Sequence, residues 1–336
     1  MFIRNFLKKR PQLILPPTPS PEGKFEQVAV DCCPICGSEE RTILFEGFDR
    51  LHGLPGRFPM ARCGRCGSSY LTRRPVDVTI YYPPDSYAAY DGPFSDAGHA
   101  PGRNYGLARR WQLLTAIRPA GGKLLDVGCG AGDFLISAPD SPGWEGVGME
   151  PSPEAVRYAR EVRGLDVRQG RLPCPDLPDR TFDVITLWHV LEHVPDPDAV
   201  LTDIRRLLKP EGVLILSVPV SDSWEAGWFG SDWVGYDVPR HLVTFTRASL
   251  KQLLQGKGFR VEEQFGVVQG LASLRLSLGI RLKRKERRSV MGRNSLGLIL
   301  FPPLFLYGRL FRRRRLSVAV FAAHPGRSPE VVSAGN

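Results

Sequence analysis

The stretch KLLDVGCGAGDFL, Lys123 to Leu135, decides the fold. A short apolar run closes on Asp126, three glycines follow at every second position (Gly128, Gly130, Gly132), and Asp133-Phe134-Leu135 opens a helix. Strand, glycine turn and helix start in that order form a nucleotide-binding crossover. A dinucleotide fingerprint would carry its third glycine at position 133, which is Asp133. A carboxylate beside a helix amino terminus repels a pyrophosphate, so a nicotinamide dinucleotide is disfavoured. A ligand with an ammonium, a carboxylate and an adenosine but no phosphate fits better. Glu150 ends the next apolar run, twenty-two residues beyond Gly128, where its carboxylate can accept from two ribose hydroxyls.

Outward from this turn, short apolar runs alternate with helical stretches. Strands are expected at Lys123–Val127, Glu145–Glu150, Asp166–Gln169, Phe182–Trp188 and Gly212–Val218, then within FRVEEQFGVVQ and LSVAVFAA. Helices are expected in NYGLARRWQLLTAI, at 131–138, 153–163 and 197–208, and in TRASLKQLLQGKG. Such alternation predicts an α/β fold, a doubly wound and mostly parallel sheet of seven strands covered on both faces.

Upstream lie Cys33-Pro-Ile-Cys36-Gly37 and Cys63-Gly-Arg-Cys66-Gly67, with twenty-six residues between Cys36 and Cys63. Two C-x-x-C turns can complete a tetrahedral thiolate shell, so Cys33, Cys36, Cys63 and Cys66 are expected to hold a structural Zn2+ in a small amino-terminal zinc ribbon. Seven cysteines, five of them clustered early, suit metal ligation in a reducing cytoplasm better than a secreted disulfide framework. The expected organisation is a disordered leader (1–24), the ribbon (25–75), a linker or lid (76–102) and the nucleotide-binding core (103–270). A basic, apolar-containing insertion (271–315), the last core strand (316–325) and a disordered tail (326–336) follow.

LLDVGCGAGDF, GVGMEPSPEAV, FDVITLWHVLEHVPDP and LLKPEGVLILSVP together resemble the successive motifs of class I S-adenosylmethionine-dependent methyltransferases, over about residues 103 to 265. The knuckles, YLTRRP, IYYPPDSY and WVGYDVPRHLVTFT resemble a bacterial small-molecule subgroup that carries a zinc ribbon. The resemblance implies a Rossmann-like methyltransferase fold that binds S-adenosyl-L-methionine. Asp126, Gly128, Gly130 and Gly132 would surround its methionine end and Glu150 its ribose. Gln169, Gly170, Arg171 and Leu172 would meet the adenine, although many relatives have an acid there. Trp188 and His189 follow the fourth core strand, where the ligand crevice of such sheets lies.

Methyl transfer to oxygen needs a base, and His189 and His241 are the candidates because histidine titrates near neutrality. SWEAGWFGSDWVGYDVPRHL gathers Trp224, Trp228, Trp233, Tyr236, Asp237, Arg240 and His241 after the fifth strand. Aromatic faces with a few charges suit a saccharide or another small amphiphilic acceptor; packing against the ribbon is the competing use. His189-x-x-Glu192-His193 also spells the H-x-x-E-H pattern of zinc peptidases. Pro195 and Pro197 leave room for barely one helical turn, so the match reads as a look-alike in which Glu192 and His193 fix the turn.

The net charge of +10 is local. Between Arg275 and Arg315 stand thirteen basic residues and one acid, which leaves 45 − 13 = 32 basic against 35 − 1 = 34 acidic residues elsewhere. No nucleic-acid partner is therefore expected, and an RNA methyltransferase is the lesser alternative, beside a non-catalytic S-adenosylmethionine sensor. The thirteen-residue apolar run Leu296–Gly308 is shorter than the ~20 residues of a spanning helix. Arginines around it predict peripheral contact of residues 281–315 with the anionic inner face of a membrane. A lipid-linked glycan then joins the candidate acceptors.

Overall fold

A computed structural model describes residues 25–82, 101–138, 143–267, 270–282 and 317–326. The leader, most of the linker, most of the basic insertion and the tail lie outside the described residues.

The chain begins with strands β1 (Gln27–Ala29), β2 (Arg41–Gly47), β3 (Phe58–Cys63), β4 (Ser69–Leu71) and β5 (Arg73–Pro75). The core then runs α1 (Pro101–Ile117), β6 (Gly122–Val127), α2 (Asp133–Ile136), β7 (Trp144–Glu150), α3 (Pro153–Glu161), β8 (Val167–Gln169), β9 (Phe182–Trp188), α4 (Pro197–Leu207) and β10 (Leu208–Pro219). After it come α5 (Trp224–Phe229), β11 (Val243–Thr244), α6 (Arg247–Gly256), β12 (Phe259–Val267), α7 (Gly270–Leu282) and β13 (Val318–Pro325).

Seven strands form one sheet in the order β12-β13-β10-β9-β6-β7-β8. β6 pairs in parallel with both β7 and β9, and β13 alone runs antiparallel to its two neighbours. Leu124, Leu125, Val184, Ile185, Leu214 and Ile215 are fully buried, as central strands covered on both faces require. Leu201, Ile204, Leu250 and Leu254 bring α4 and α6 onto one face. Trp111, Leu114, Val156 and Ala159 bring α1 and α3 onto the other.

The helix starts follow local chemistry. Ser152 accepts from Ala155 N–H and Asp196 from Ala199 N–H, each followed by proline at the first helical position. Two boundaries differ from expectation. The helix foreseen at 131–138 is the single turn of α2, because Gly132 enters it at φ +83° and Ser137 already leaves helical geometry. β10 starts four residues before Gly212, since Leu208 pairs with Phe182 ahead of a register shift that ends at Val213.

Succession of β7 and β8 on one side of β6, and of β9 on the other, leaves a topological switch between β6 and β9. Outside the carboxyl ends of these strands is where open α/β sheets take ligands. The amino-terminal strands are joined to the core in an unexpected way: the four-stranded sheet runs β11-β4-β3-β2, so a strand from beyond residue 240 completes it. Val243 pairs with Tyr70 and Thr244 with Ser69. Cys33, Cys63 and Tyr70 share a continuous apolar cluster with Leu250 and Val220.

Candidate functional site at the carboxyl edge of the sheet

Asp126, one residue before the end of β6, and Glu150, the last residue of β7, are buried, 2% and 5% exposed. Thr186 Oγ1 donates to Asp126 Oδ1 at 2.6 Å. Burial pushes the Asp126 carboxyl up to about 7, while Thr186 and Arg110 oppose that shift. Glu150 is also raised, chiefly by burial, against the hydrogen bonds it accepts from Ser152 N–H and Gly130 N–H, both at 2.9 Å. These bonds tie the glycine turn to the second strand and leave lone pairs on both oxygens.

Gly128 and Gly132 sit at φ +68° and +83°. A Cβ at Gly128 would lie 2.5 Å from Val190 Cγ2, and one at Gly132 would collide with Leu165. Both therefore need glycine for conformation and for space. Gly130 shares the positive φ. Asp133 is paired with Arg163 at 2.6 Å. Gln169 ends β8 and Gly170 N–H donates to Glu150 O at 3.0 Å. Arg171 is close enough to Glu150 to act on its charge. Leu172 is 6% exposed.

Beyond β9 the chain turns sharply. Trp188 packs edge-on against Phe134 with centroids 5.6 Å apart, Arg110 lies 4.7 Å over its ring, and its indole nitrogen is buried without a partner among the described residues. His189 adopts φ +60°, a conformation that costs a non-glycine residue roughly 1–3 kcal/mol and concentrates at working sites. Its Nδ1 lies 3.0 Å from Glu192 Oε1 and its N–H donates to Ser217 O. The nearby histidines hold the Glu192 carboxyl below its usual range despite full burial, and its Oε1 accepts a hydrogen bond from His189 Nδ1–H. Glu192 belongs to a short 3-10 turn, Leu191–His193.

The second half of the expected acceptor surface divides. Trp228 is 55% exposed, beside Trp224 and Phe229. Trp233 and Tyr236 are instead buried, and Tyr236 meets Phe45 of β2 edge-on at 5.1 Å. Arg240, expected at the acceptor, is fully buried and spends its donors on Asp237, Asp49 and Tyr81 O. A guanidinium can be buried when every donor is matched in this way; Arg240 and Asp237 therefore join the amino-terminal sheet to the core. His241 Nδ1 donates to Gly235 O at 2.8 Å, and its ring meets that of His193 at 4.6 Å. His241 thus faces His193 rather than His189's turn alone.

A family model described as a methyltransferase domain matches residues 100–264. The chain is 30% identical over 164 residues to a ubiquinone biosynthesis O-methyltransferase of Xanthomonas axonopodis pv. citri, covering 45% of this chain and 68% of that protein. It is 35% identical over 181 residues to the protein of the same name in Cereibacter sphaeroides, covering 50% and 72%. This chain belongs to the class I S-adenosylmethionine-dependent methyltransferases. It is also similar to a solved SAM-dependent methyltransferase of Archaeoglobus fulgidus, with 19% identity, a TM-score of 0.45, and coverage of 66% and 94%.

The residues of this methyltransferase fit its cofactor. Asp126 is a buried carboxylate that gains from an ammonium, Glu150 has lone pairs left for hydroxyls, and the glycine turn admits a close backbone approach. Bound there, S-adenosylmethionine supplies an electrophilic methyl group on a sulfonium.

The four cysteines of the methyltransferase converge. Cys33 Sγ is 3.6 Å from Cys66 Sγ and Cys36 Sγ 3.5 Å from Cys63 Sγ, with all four within 4.8 Å of one another and none in a disulfide. Gly37 N–H donates to Cys33 O and Gly67 N–H to Cys63 O, closing two matching knuckles at φ +70° and +76°.

Asp49, Tyr81 and Tyr82 are residues sequence reading did not assign to any of this, and Glu192, read as fixing the turn, also pairs with His189. Asp49 and Arg240 are 191 positions apart, so no local pattern could pair them. Among the described residues no helix is long and apolar enough to cross a membrane. Of the basic stretch 281–315, Arg281 is spent on Trp228 O and Phe229 O.

Proposed function

We propose that this methyltransferase acts on an oxygen of a small-molecule or saccharide acceptor, free or lipid-linked, with His189 as the base. The observation that carries this reading is the His189–Glu192 pair at the carboxyl edge of the sheet. Glu192 fixes the imidazole with Nδ1 protonated, which makes Nε2 the nitrogen that takes the acceptor's hydroxyl proton. Bound S-adenosylmethionine would supply the methyl group to that oxygen and leave as S-adenosylhomocysteine, with His189 holding the proton the acceptor gives up. Alignment supplies most of the rate in such a displacement, and the strained, doubly anchored turn at His189 provides it. The named relatives, as O-methyltransferases, support an oxygen acceptor.

The four-cysteine cluster is read as a structural zinc site. A Zn–S bond of about 2.3 Å sets a tetrahedral edge near 3.8 Å, close to the sulfur separations present. With four protein ligands no position remains for an acceptor.

Labelled methyl transfer to small-molecule and polyprenyl-linked sugar fractions tests the function. His189→Ala should lower kcat by about 100-fold or more and leave S-adenosylhomocysteine binding intact. Full activity in that variant would remove the base role. Cofactor binding with no transfer to any fraction would leave a sensor.

A further inference from the structure

The look-alike peptidase motif is only partly spurious. His189 is held away from a metal geometry by its bond to Glu192 Oε1, but Glu192, His193 and His241 each bring one ligating atom within 4.8 Å of the others. We propose that these three residues form a second metal site, for a first-row divalent cation such as zinc, iron(II) or manganese, distinct from the four cysteines.

Hydrogen bonds determine which atoms are available. A carbonyl oxygen can only accept, so His193 Nδ1, 3.0 Å from Arg240 O, and His241 Nδ1, 2.8 Å from Gly235 O, both carry protons. Each ring therefore keeps an unprotonated Nε2. Imidazoles that bind metals are held in this way, the remote N–H donating to a backbone carbonyl. Tyr82 Oη, 2.8 Å from His193 Nδ1, adds a second acceptor. Glu192 is fully buried, and its Oε2 has no hydrogen-bond partner among the described residues. A fully buried carboxylate oxygen without a donor costs free energy that a cation would recover.

Charge points the same way. Asp237 and Asp49 both pair with the single guanidinium of Arg240, and Glu192 adds a further buried carboxylate among the histidines. A divalent ion removes the excess. Two neutral imidazoles and one carboxylate favour borderline first-row ions over magnesium or calcium, which prefer all-oxygen shells. Bonds of about 2.0–2.1 Å imply ligand edges near 3.4 Å, inside the 4.8 Å that bounds the present separations, so binding draws the three atoms together.

The turn that carries Glu192 abuts the glycine loop, since Val190 fills the space beside Gly128. Three protein ligands leave a position open, where an acceptor oxygen could bind and be acidified. That role rests on the oxygen-acceptor reading; metal binding does not.

Equilibrium dialysis of the untagged full chain against Co2+, followed by metal analysis and absorption spectra, separates the two sites. Beyond any ion held by thiolates, one further equivalent should bind, with weak ligand-field bands and no thiolate-to-cobalt charge transfer. His241→Ala and Glu192→Gln should each weaken that equivalent by at least about 100-fold, while the ion at the cysteines persists and reports an intact fold. Methyl transfer plays no part in this readout, so loss of the acceptor assignment would leave it standing. The proposal falls if no equivalent binds outside the thiolate site, or if both variants retain it.

Discussion

Two regions of this molecule bury carboxylates, and they do it in opposite ways. At the seam between the amino-terminal sheet and the core, Asp49 and Asp237 both grip Arg240, and all three nitrogens of that guanidinium donate. At the carboxyl edge of the main sheet, Asp126 and Glu150 are buried on hydroxyl and backbone N–H donors, and both are pushed upward in pKa by burial. Charge matched inside the chain holds two parts together. Charge left without a countercharge in contact is held ready for a ligand that carries one.

The largest expected break of this contrast is Arg240→Ala, which strands two buried carboxylates. It should destabilise the protein by about 3–5 kcal/mol, seen as a large fall in urea midpoint with early loss of the amino-terminal sheet. A change below ~1 kcal/mol would show that the seam does not depend on this charge cluster.

Asp126→Asn should act in the other direction. A carboxyl raised to about 7 in the folded state gives stability that is greatest below its unfolded value near 4 and is lost as pH rises toward 7. The ligand-free wild type therefore bears a destabilising slope of up to about 1.4 kcal/mol per pH unit across that window, and the asparagine variant should lack it. An ammonium-bearing cofactor reverses the sign, because it favours the carboxylate. Thermal melting with and without S-adenosylmethionine should show a larger ligand-induced gain at pH 8 than at pH 6 in the wild type, and equal, smaller gains in the variant. Identical pH behaviour of the two proteins would rule out this role for Asp126.

Trp228 sharpens the comparison at its smallest scale. As the exposed member of an aromatic loop whose other rings are packed away, it should tolerate Trp228→Ala within about 0.5 kcal/mol of stability. Its loss should instead appear as a several-fold rise in acceptor KM with kcat little changed, if it lies along the acceptor path.

Legibility in the sequence followed distance along the chain. Asp126, the three glycines and Glu150 could be read because the strand, its turn and the following helix are contiguous, and each residue type answers a local demand. The helix starts at 153 and 197 were legible for the same reason, and Ser152 and Asp196, each with proline next, cap them. The aromatic loop was not, because Trp233 and Trp228 are the same residue type under different fates: one packs with Tyr236 against β2 and the other faces water. Nothing local marks Val243 and Thr244 as the fourth strand of a sheet begun two hundred residues earlier.

The sequence by itself determined the alternating α/β order, the nucleotide turn and its acid, and two cysteine knuckles, since each is written within a few residues of backbone. Tertiary structure alone decided that Arg240 ties the seam instead of meeting an acceptor, and that Glu192 orients His189. It also decided that His193 faces His241 rather than His189. Those outcomes depend on which buried charges and lone pairs find partners across the fold, and such partners are chosen by packing, not by neighbours in the chain.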